Sequence, residues 1–244
     1  VHPYLLHLGH LYLPTFGVLA TAGLLLALAL SQQTARLAEV EPDLLWDAGI
    51  LAVVLAYVIS RLLLAMTHWS AVVSAPVLLL AVPSLTPIGL LLTSAATLAW
   101  LRWKRVPLLR ALDAWAPCAA LVWAFLAVGH FAEGSDPGLP SGRLPGVLLP
   151  GDPVATHPVA VYAALVAALL AAAAYIRLSR VVSTGETAGI TLAAAGIAQF
   201  LLCFLRQPGV SGWFGLDLLQ WVALAAVCGG GCLVAFAPST RRAA

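Results

Sequence analysis

Apolar residues fall in long blocks along this chain, separated by short polar breaks, and they do not alternate with polar ones. Leu/Ala/Val-rich runs cover residues 16–30, 44–66, 85–100, 112–128, 159–176, 187–205 and 214–236. Each approaches the roughly 20 residues that a helix needs to cross about 30 Å of hydrocarbon. Strands of a membrane barrel would alternate lipid-facing and lumen-facing side chains, so unbroken runs predict helices. The first run is near the minimum unless Tyr12 to Thr15 join it, and Gln32 to Asp43 reads as the polar segment that follows. Ahead of it, residues 1–15 are amphipathic and punctuated by Pro3, Gly9 and Pro14, which suits an interfacial lead-in. The stretch from Ala71 to Trp103 is interrupted by Pro76, Pro83 and Pro87. It is too long for one span and too short for two, which predicts a re-entrant or interfacial piece over 72–82 before the third span. The Ala-rich run 163–174 fits close helix packing.

Composition agrees with this reading. Hydrophobic residues make up 62% of the 244 and charged ones only 9%, against about 25% charged in a soluble domain. The expected fold is therefore an all-α integral membrane protein of about seven transmembrane helices, a single domain over 1–244 with a Gly/Pro-rich connection at 129–156. No basic n-region or small-residue cleavage site precedes the first span, so no cleavable signal is expected. A net charge of +2 gives no footprint for nucleic acid. Cys118, Cys203, Cys228 and Cys232 all lie within apolar runs and read as core packing, which leaves the redox compartment unmarked.

Charge placement predicts the orientation. Seven spans put the termini on opposite sides. With the C-terminus inside, Arg36, Arg102, Lys104, Arg105, Arg110, Arg177, Arg180, Arg241 and Arg242 are cytoplasmic, and only Arg143 and Arg206 are outside. The N-terminus and the 129–156 connection are then extracytoplasmic.

The ionisable residues gather between Asp113 and Tyr162. His130, Glu133 and Asp136 follow at three-residue spacing, which a helix would place on one side, although Gly134 and Pro137 oppose a continuous helix. With His157 the set lacks the tight His/Cys spacing of a zinc motif, and no metal site is expected. It can serve as an acid/base group, since His130 and His157 are the nearby side chains that titrate near neutral pH, or it can be a polar loop in water. In H-P-V-A-V-Y, Pro158 suits a first helical turn, with His157 at its start and Tyr162 a turn inside. Arg61 is an intramembrane charge that needs an acidic partner such as Asp113 or Glu133, or a lipid phosphate. Arg206, in F-L-R-Q-P, can snorkel or hold a phosphate. Trp46, Trp69, Trp100, Trp103 and Trp213 fall near proposed interfaces.

Several motifs, in order, resemble one family: H-P-Y-L-L-H-L-G, F-G-V-L-A-T-A-G-L, I-S-R-L-L-L, L-D-A-W-A-P, V-G-H-F-A-E-G-S-D-P-G, L-P-G-V, H-P-V-A-V-Y, F-L-R-Q-P and L-Q-W-V-A-L. Along nearly its whole length the chain resembles bacterial prolipoprotein diacylglyceryl transferases. The resemblance implies a multi-pass protein of the bacterial plasma (inner) membrane. It would take phosphatidylglycerol or another phospholipid, transfer diacylglyceryl to the lipobox cysteine of a prolipoprotein signal peptide, and use no cofactor. The resemblance together with the acid/base reading of His130 and Glu133 makes His130, Glu133, His157 and Tyr162 the expected catalytic residues, and Arg61, Arg143 and Arg206 the expected phosphate ligands. Asp113, Pro117, Gly129, Gly134, Gly138, Gln220 and Trp221 are expected to carry the structural motif. The chain departs from the family pattern at charged positions. In the G-R-I-G-N-F-I-N-G-E signature the Arg is Ala127, the Asn is His130 and the final Glu is Ser135. The H-G-G is Ile88-Gly89-Leu90, the early Y-G is Phe16-Gly17, and the Arg and Glu of the sixth span are Gln199 and Cys203. Either the chemistry is rebuilt on His130, Glu133, Arg61, Arg143 and Arg206, or the fold persists without the reaction.

Overall fold

One helix, Leu108–Glu133 (α5), organises the others. A computed structural model describes residues 4–8, 11–75, 86–142, 146–148, 154–180, 183–207 and 213–237. It places α1 (Thr15–Leu37), α6 (Val159–Leu178) and α7 (Glu186–Cys203) directly against α5. Helix α2 (Pro42–Thr67) packs on α1 and on α4 (Pro87–Trp103), and α8 (Leu218–Ala235) packs on α7. A short helix, α3 (Trp69–Ser74), follows α2. By length and composition α1, α2, α5, α6, α7 and α8 can each cross a membrane, and α4 is a shorter apolar helix of 17 residues. Each of these seven helices overlaps one of the seven predicted runs.

Small residues lie inside and large ones outside, the arrangement expected where lipid is the solvent and close backbone approach holds helices together. The buried positions of α5 include Ala111, Ala114, Ala116, Ala120, Ala124, Ala127 and Gly129, while Leu62, Leu91, Leu169 and Phe204 are among the exposed large side chains. In α6 the buried positions Ala160, Ala163, Ala167, Ala171 and Ala174 recur at helical spacing. Between α7 and α8, Gly189 and Gly230 meet back to back. A Cβ on Gly189 would lie 2.8 Å from the Gly230 carbonyl oxygen, so neither position has room for a side chain.

The ends of the helices follow from local chemistry. Thr86 caps α4, its Oγ1 accepting from the Gly89 amide at 3.1 Å, with Pro87 at the first position. Asp217 and Gln220 form a reciprocal capping box on α8. The start of α7 is fastened to α5 by Asp113, 5% exposed, whose carboxylate accepts from the amides of Gly185 at 2.6 Å and Ala188 at 2.8 Å. Asp113 is therefore committed to a helix start and is not the partner expected for Arg61.

Three expectations change. The first span runs on to Leu37, so Gln32 and Gln33 are helical and the polar linker is shorter than read. Polar residues are tolerated there because Ser31 Oγ donates to the Leu28 carbonyl at 2.6 Å and Thr34 Oγ1 to that of Ser31 at 3.2 Å, with Thr34 fully buried near Cys118. The lead-in contains an antiparallel pair of strands, β1 (Tyr4–Leu8) and β2 (Leu11–Pro14), with Leu6 opposite Leu13, so the fold is helical with one small hairpin. Only Cys118 and Cys203 are buried; Cys228 and Cys232 are exposed on α8, and all four are free thiols. Of the predicted 72–82 re-entrant piece, α3 covers the beginning and residues 76–85 lie outside the described residues.

Candidate functional site

Helix α5 stops at Gly134, which takes a left-handed conformation (φ 69°) and lets the Ser135 amide reach back to the His130 carbonyl at 3.2 Å. That reversal brings Ser135 Oγ to 2.9 Å from His130 Nδ1. On another side the Phe16 ring stands 4.8 Å from the imidazole, centroid to centroid. His130 is exposed, yet oriented by these two neighbours.

Residues 137–141 then run extended between two other parts of the chain. The Leu139 amide donates to the Leu205 carbonyl at 2.8 Å, the His157 amide to the Leu139 carbonyl at 3.0 Å, and the Ser141 amide to the Ala155 carbonyl at 2.8 Å. Gly138 is required at the crossing, because a Cβ there would run into the His157 carbonyl. This stitching joins the end of α7 to the lead-in of α6 across the end of α5. It sets Arg206 Nη2 2.7 Å from Asp136 Oδ2, a pair with side chains 25% and 19% exposed. Val147 and Thr156 exchange two backbone hydrogen bonds, at 2.9 and 3.0 Å, and close the outer wall.

The result is a cleft lined by His130, Phe131, Asp136, Thr156, His157 and Pro158, among others. Its accessible volume is about 10 Å³, room for roughly one water. Two sheltered nitrogens at or beside it, His157 Nδ1 and Arg206 Nε, have no hydrogen-bond partner among the described residues. Shielded polar atoms of this kind are usually satisfied, and an incoming oxyanion or hydroxyl suits both. Chemically the cleft offers two imidazoles and, beside them, a guanidinium already oriented by a carboxylate.

A family model for prolipoprotein diacylglyceryl transferase matches residues 3–236. The chain belongs to the prolipoprotein diacylglyceryl transferase family. Comparison with curated proteins gives no match. Membership in this family and the apolar helices make it a multi-pass membrane protein, of a family of transferases that act in lipoprotein biosynthesis on a phospholipid donor and a prolipoprotein.

Placed on this family fold, the expected site residues separate. His130 and His157 face one cleft. Tyr162 lies near His157, with ring centroids 6.5 Å apart, and packs on the core formed by Ala127, Val159, Ala163 and Leu202. Glu133, half-buried on the last turn of α5, does not line the cleft. Arg61 has its guanidinium 5.3 Å over the Tyr57 ring on the same helix and is also absent from the cleft lining. Arg143 lies outside the described residues. Among the motif residues, Asp113 and Pro117 are buried in α5, and Gly129 is buried against Phe16. Gln220 is buried within the α8 cap, and Trp221 is exposed with its ring near that of Phe214. The family-pattern departures Ala127 and Cys203 are buried, and Gln199 Nε2 lies 3.7 Å from Cys203 Sγ. Sequence reading did not assign the roles of Ser135, as the group orienting His130, or of Asp136, as the partner of Arg206. The second pairing joins residues 70 positions apart, and no local spacing reports it.

Proposed function

We propose that this chain transfers diacylglyceryl from phosphatidylglycerol to the thiol of a lipobox cysteine, at a site rebuilt around His130, Asp136, His157 and Arg206 on the extracytoplasmic side of the bacterial inner membrane. The reaction needs a base for the thiol, a cation for the leaving phosphate, and lateral access from lipid. His157 accepts the thiol proton at its sheltered Nδ1. The thiolate attacks the glyceryl carbon, the C–S bond forms as the C–O bond to phosphate breaks, and glycerol phosphate leaves with the electron pair. Arg206 meets the growing phosphate charge through Nε–H, while Asp136 holds the guanidinium plane. His130, set between Phe16 and Ser135, orients the donor and returns a proton to the leaving group. The observation that carries this reading is the Asp136–Arg206 pair beside a cleft lined by both histidines.

A second reading is favoured by the same pair. Arg206 is partly neutralised by Asp136, and the cleft of about 10 Å³ is too small for a phospholipid headgroup. On this reading the chain binds phospholipid or a membrane partner and turns nothing over. Replacement of a host's only transferase separates the two. The transferase reading expects thioether-linked diacylglyceryl on lipoproteins with the wild-type chain and its loss with His157→Asn or Arg206→Gln. A wild-type chain that inserts in the membrane and leaves every lipoprotein unmodified supports the silent binder.

A further inference from the structure

We infer that the opposite end of α5 carries a second lipid site, one that takes the phosphodiester headgroup of an anionic phospholipid. With 26 residues at 1.5 Å each, α5 separates the two ends by about 39 Å, so this site is independent of the His130 cleft and of the activity proposed there. A cleft of about 690 Å³ opens at the α4–α5 junction, lined by Arg102, Arg105, Val106, Pro107, Leu108, Leu109 and Thr184. That is within the roughly 300–1,000 Å³ typical of small-molecule sites.

The charges around it are unequally matched. Arg110 is paired with Glu39 at 2.9 Å. Lys104 sits over the Trp100 and Trp103 rings, at 5.6 and 5.3 Å. Arg102 and Arg105 line the cleft, are exposed, and make no ion pair among the described residues. The first turn of α5, which forms the facing wall, holds no acidic residue and has no side-chain cap, so its first amides add to the positive potential.

Arg105 is also held in a costly conformation. The bonds from the Arg105 amide to the Arg102 carbonyl (3.0 Å) and from the Val106 amide to the Leu101 carbonyl (2.9 Å) form the helix-ending motif that usually has glycine at this point. Arg105 takes φ 58° there, strain that glycine would avoid. The side chain aimed at the cleft is a reason to tolerate it. A lipid is favoured over a free anion because Val106, Pro107, Leu108 and Leu109 give the cleft apolar walls, and because Trp100 and Trp103, the latter 75% exposed, mark this end as an aromatic belt.

The test uses the full chain purified in detergent, with retained lipids counted by native mass spectrometry after titration with phosphatidylglycerol or phosphatidylcholine of the same acyl chains. The double variant Arg102→Gln/Arg105→Gly should hold one phosphatidylglycerol roughly 30-fold more weakly, the factor two basic residues supply near an anionic lipid surface. It should melt no lower than wild type, since glycine relieves the backbone. The double variant Arg36→Gln/Arg180→Gln, with the same change in charge, should bind as wild type. Equal weakening in both doubles, equal retention of phosphatidylcholine, or displacement of the lipid by inorganic phosphate would overturn the site.

Discussion

Replacing Asp113 by alanine should loosen the whole bundle, because this carboxylate ties the start of α7 to α5. It accepts two backbone hydrogen bonds, at 2.6 and 2.8 Å, in a position 5% exposed. A hydrogen bond to a charged group contributes roughly 1.5–3 kcal/mol, and an orphaned buried amide is not rehydrated without cost. Two such bonds give about 3–6 kcal/mol, and partial relaxation brings the expected loss toward about 3 kcal/mol. At roughly 2–4 °C per kcal/mol for a chain of this size, Asp113→Ala should melt about 6–12 °C below wild type in a fluorescence-detected thermal unfolding assay in detergent. Asp113→Asn should recover only part of this, since its amide NH₂ would face one of the two backbone donors. Removal of the exposed carboxylate in Asp47→Ala should shift melting by no more than about 2 °C. An Asp113→Ala protein that melts with wild type would refute the reasoning, and would mean that α7 is held by packing alone.

The remaining expectations concern packing, the orientation and the rebuilt site. Gly230→Leu should separate α7 from α8, whose backbones touch at Gly189 and Gly230, and cause a loss of folded yield larger than that of Gly231→Leu, where an added Cβ meets nothing within 4 Å; size-exclusion of fluorescent fusions reads this directly. A reporter fused after Ala244 should read cytoplasmic and one inserted near Ser141 extracytoplasmic, and both on one side would remove the seven-span orientation. His130→Asn restores the family residue but removes a group that can carry a proton, so turnover should fall by roughly 10²-fold with a changed pH profile; unchanged turnover across pH 6 to 9 would make His130 a tolerated substitution.

The spans were legible because a bilayer demands runs of nearly fixed length, and no other constraint in this chain competes with that. The end of α1 was not, because hydropathy counts Ser31 and Thr34 as polar while their hydroxyls are satisfied by carbonyls one turn back. The strands at Tyr4–Leu8 and Leu11–Pro14 were missed for a different reason: runs this short fit an interfacial helix as readily as a hairpin, and Gly9 was the one turn signal between them. In the site, both histidines stood out as the imidazoles nearest the expected chemistry, and both line the cleft. Glu133 was chosen by its three-residue spacing from His130, but the left-handed turn at Gly134 directs the chain away before Asp136, and it is Asp136 that lines the cleft. Its partner Arg206 arrives through backbone pairing of residues 137–139 with 205–207, a contact that only the folded chain defines.

The central claim is that a cleft with His130, Asp136 and His157, with Arg206 paired to Asp136 beside it, still moves diacylglyceryl. The most direct measurement incubates the purified chain with vesicles of phosphatidylglycerol and a synthetic lipobox peptide, following the peptide by mass spectrometry and the released glycerol phosphate by coupled assay. The account predicts a thioether-linked diacylglyceryl peptide and glycerol phosphate in equal amounts, both lost with His157→Asn and with Arg206→Gln. A folded wild-type chain that retains phosphatidylglycerol but forms neither product contradicts it.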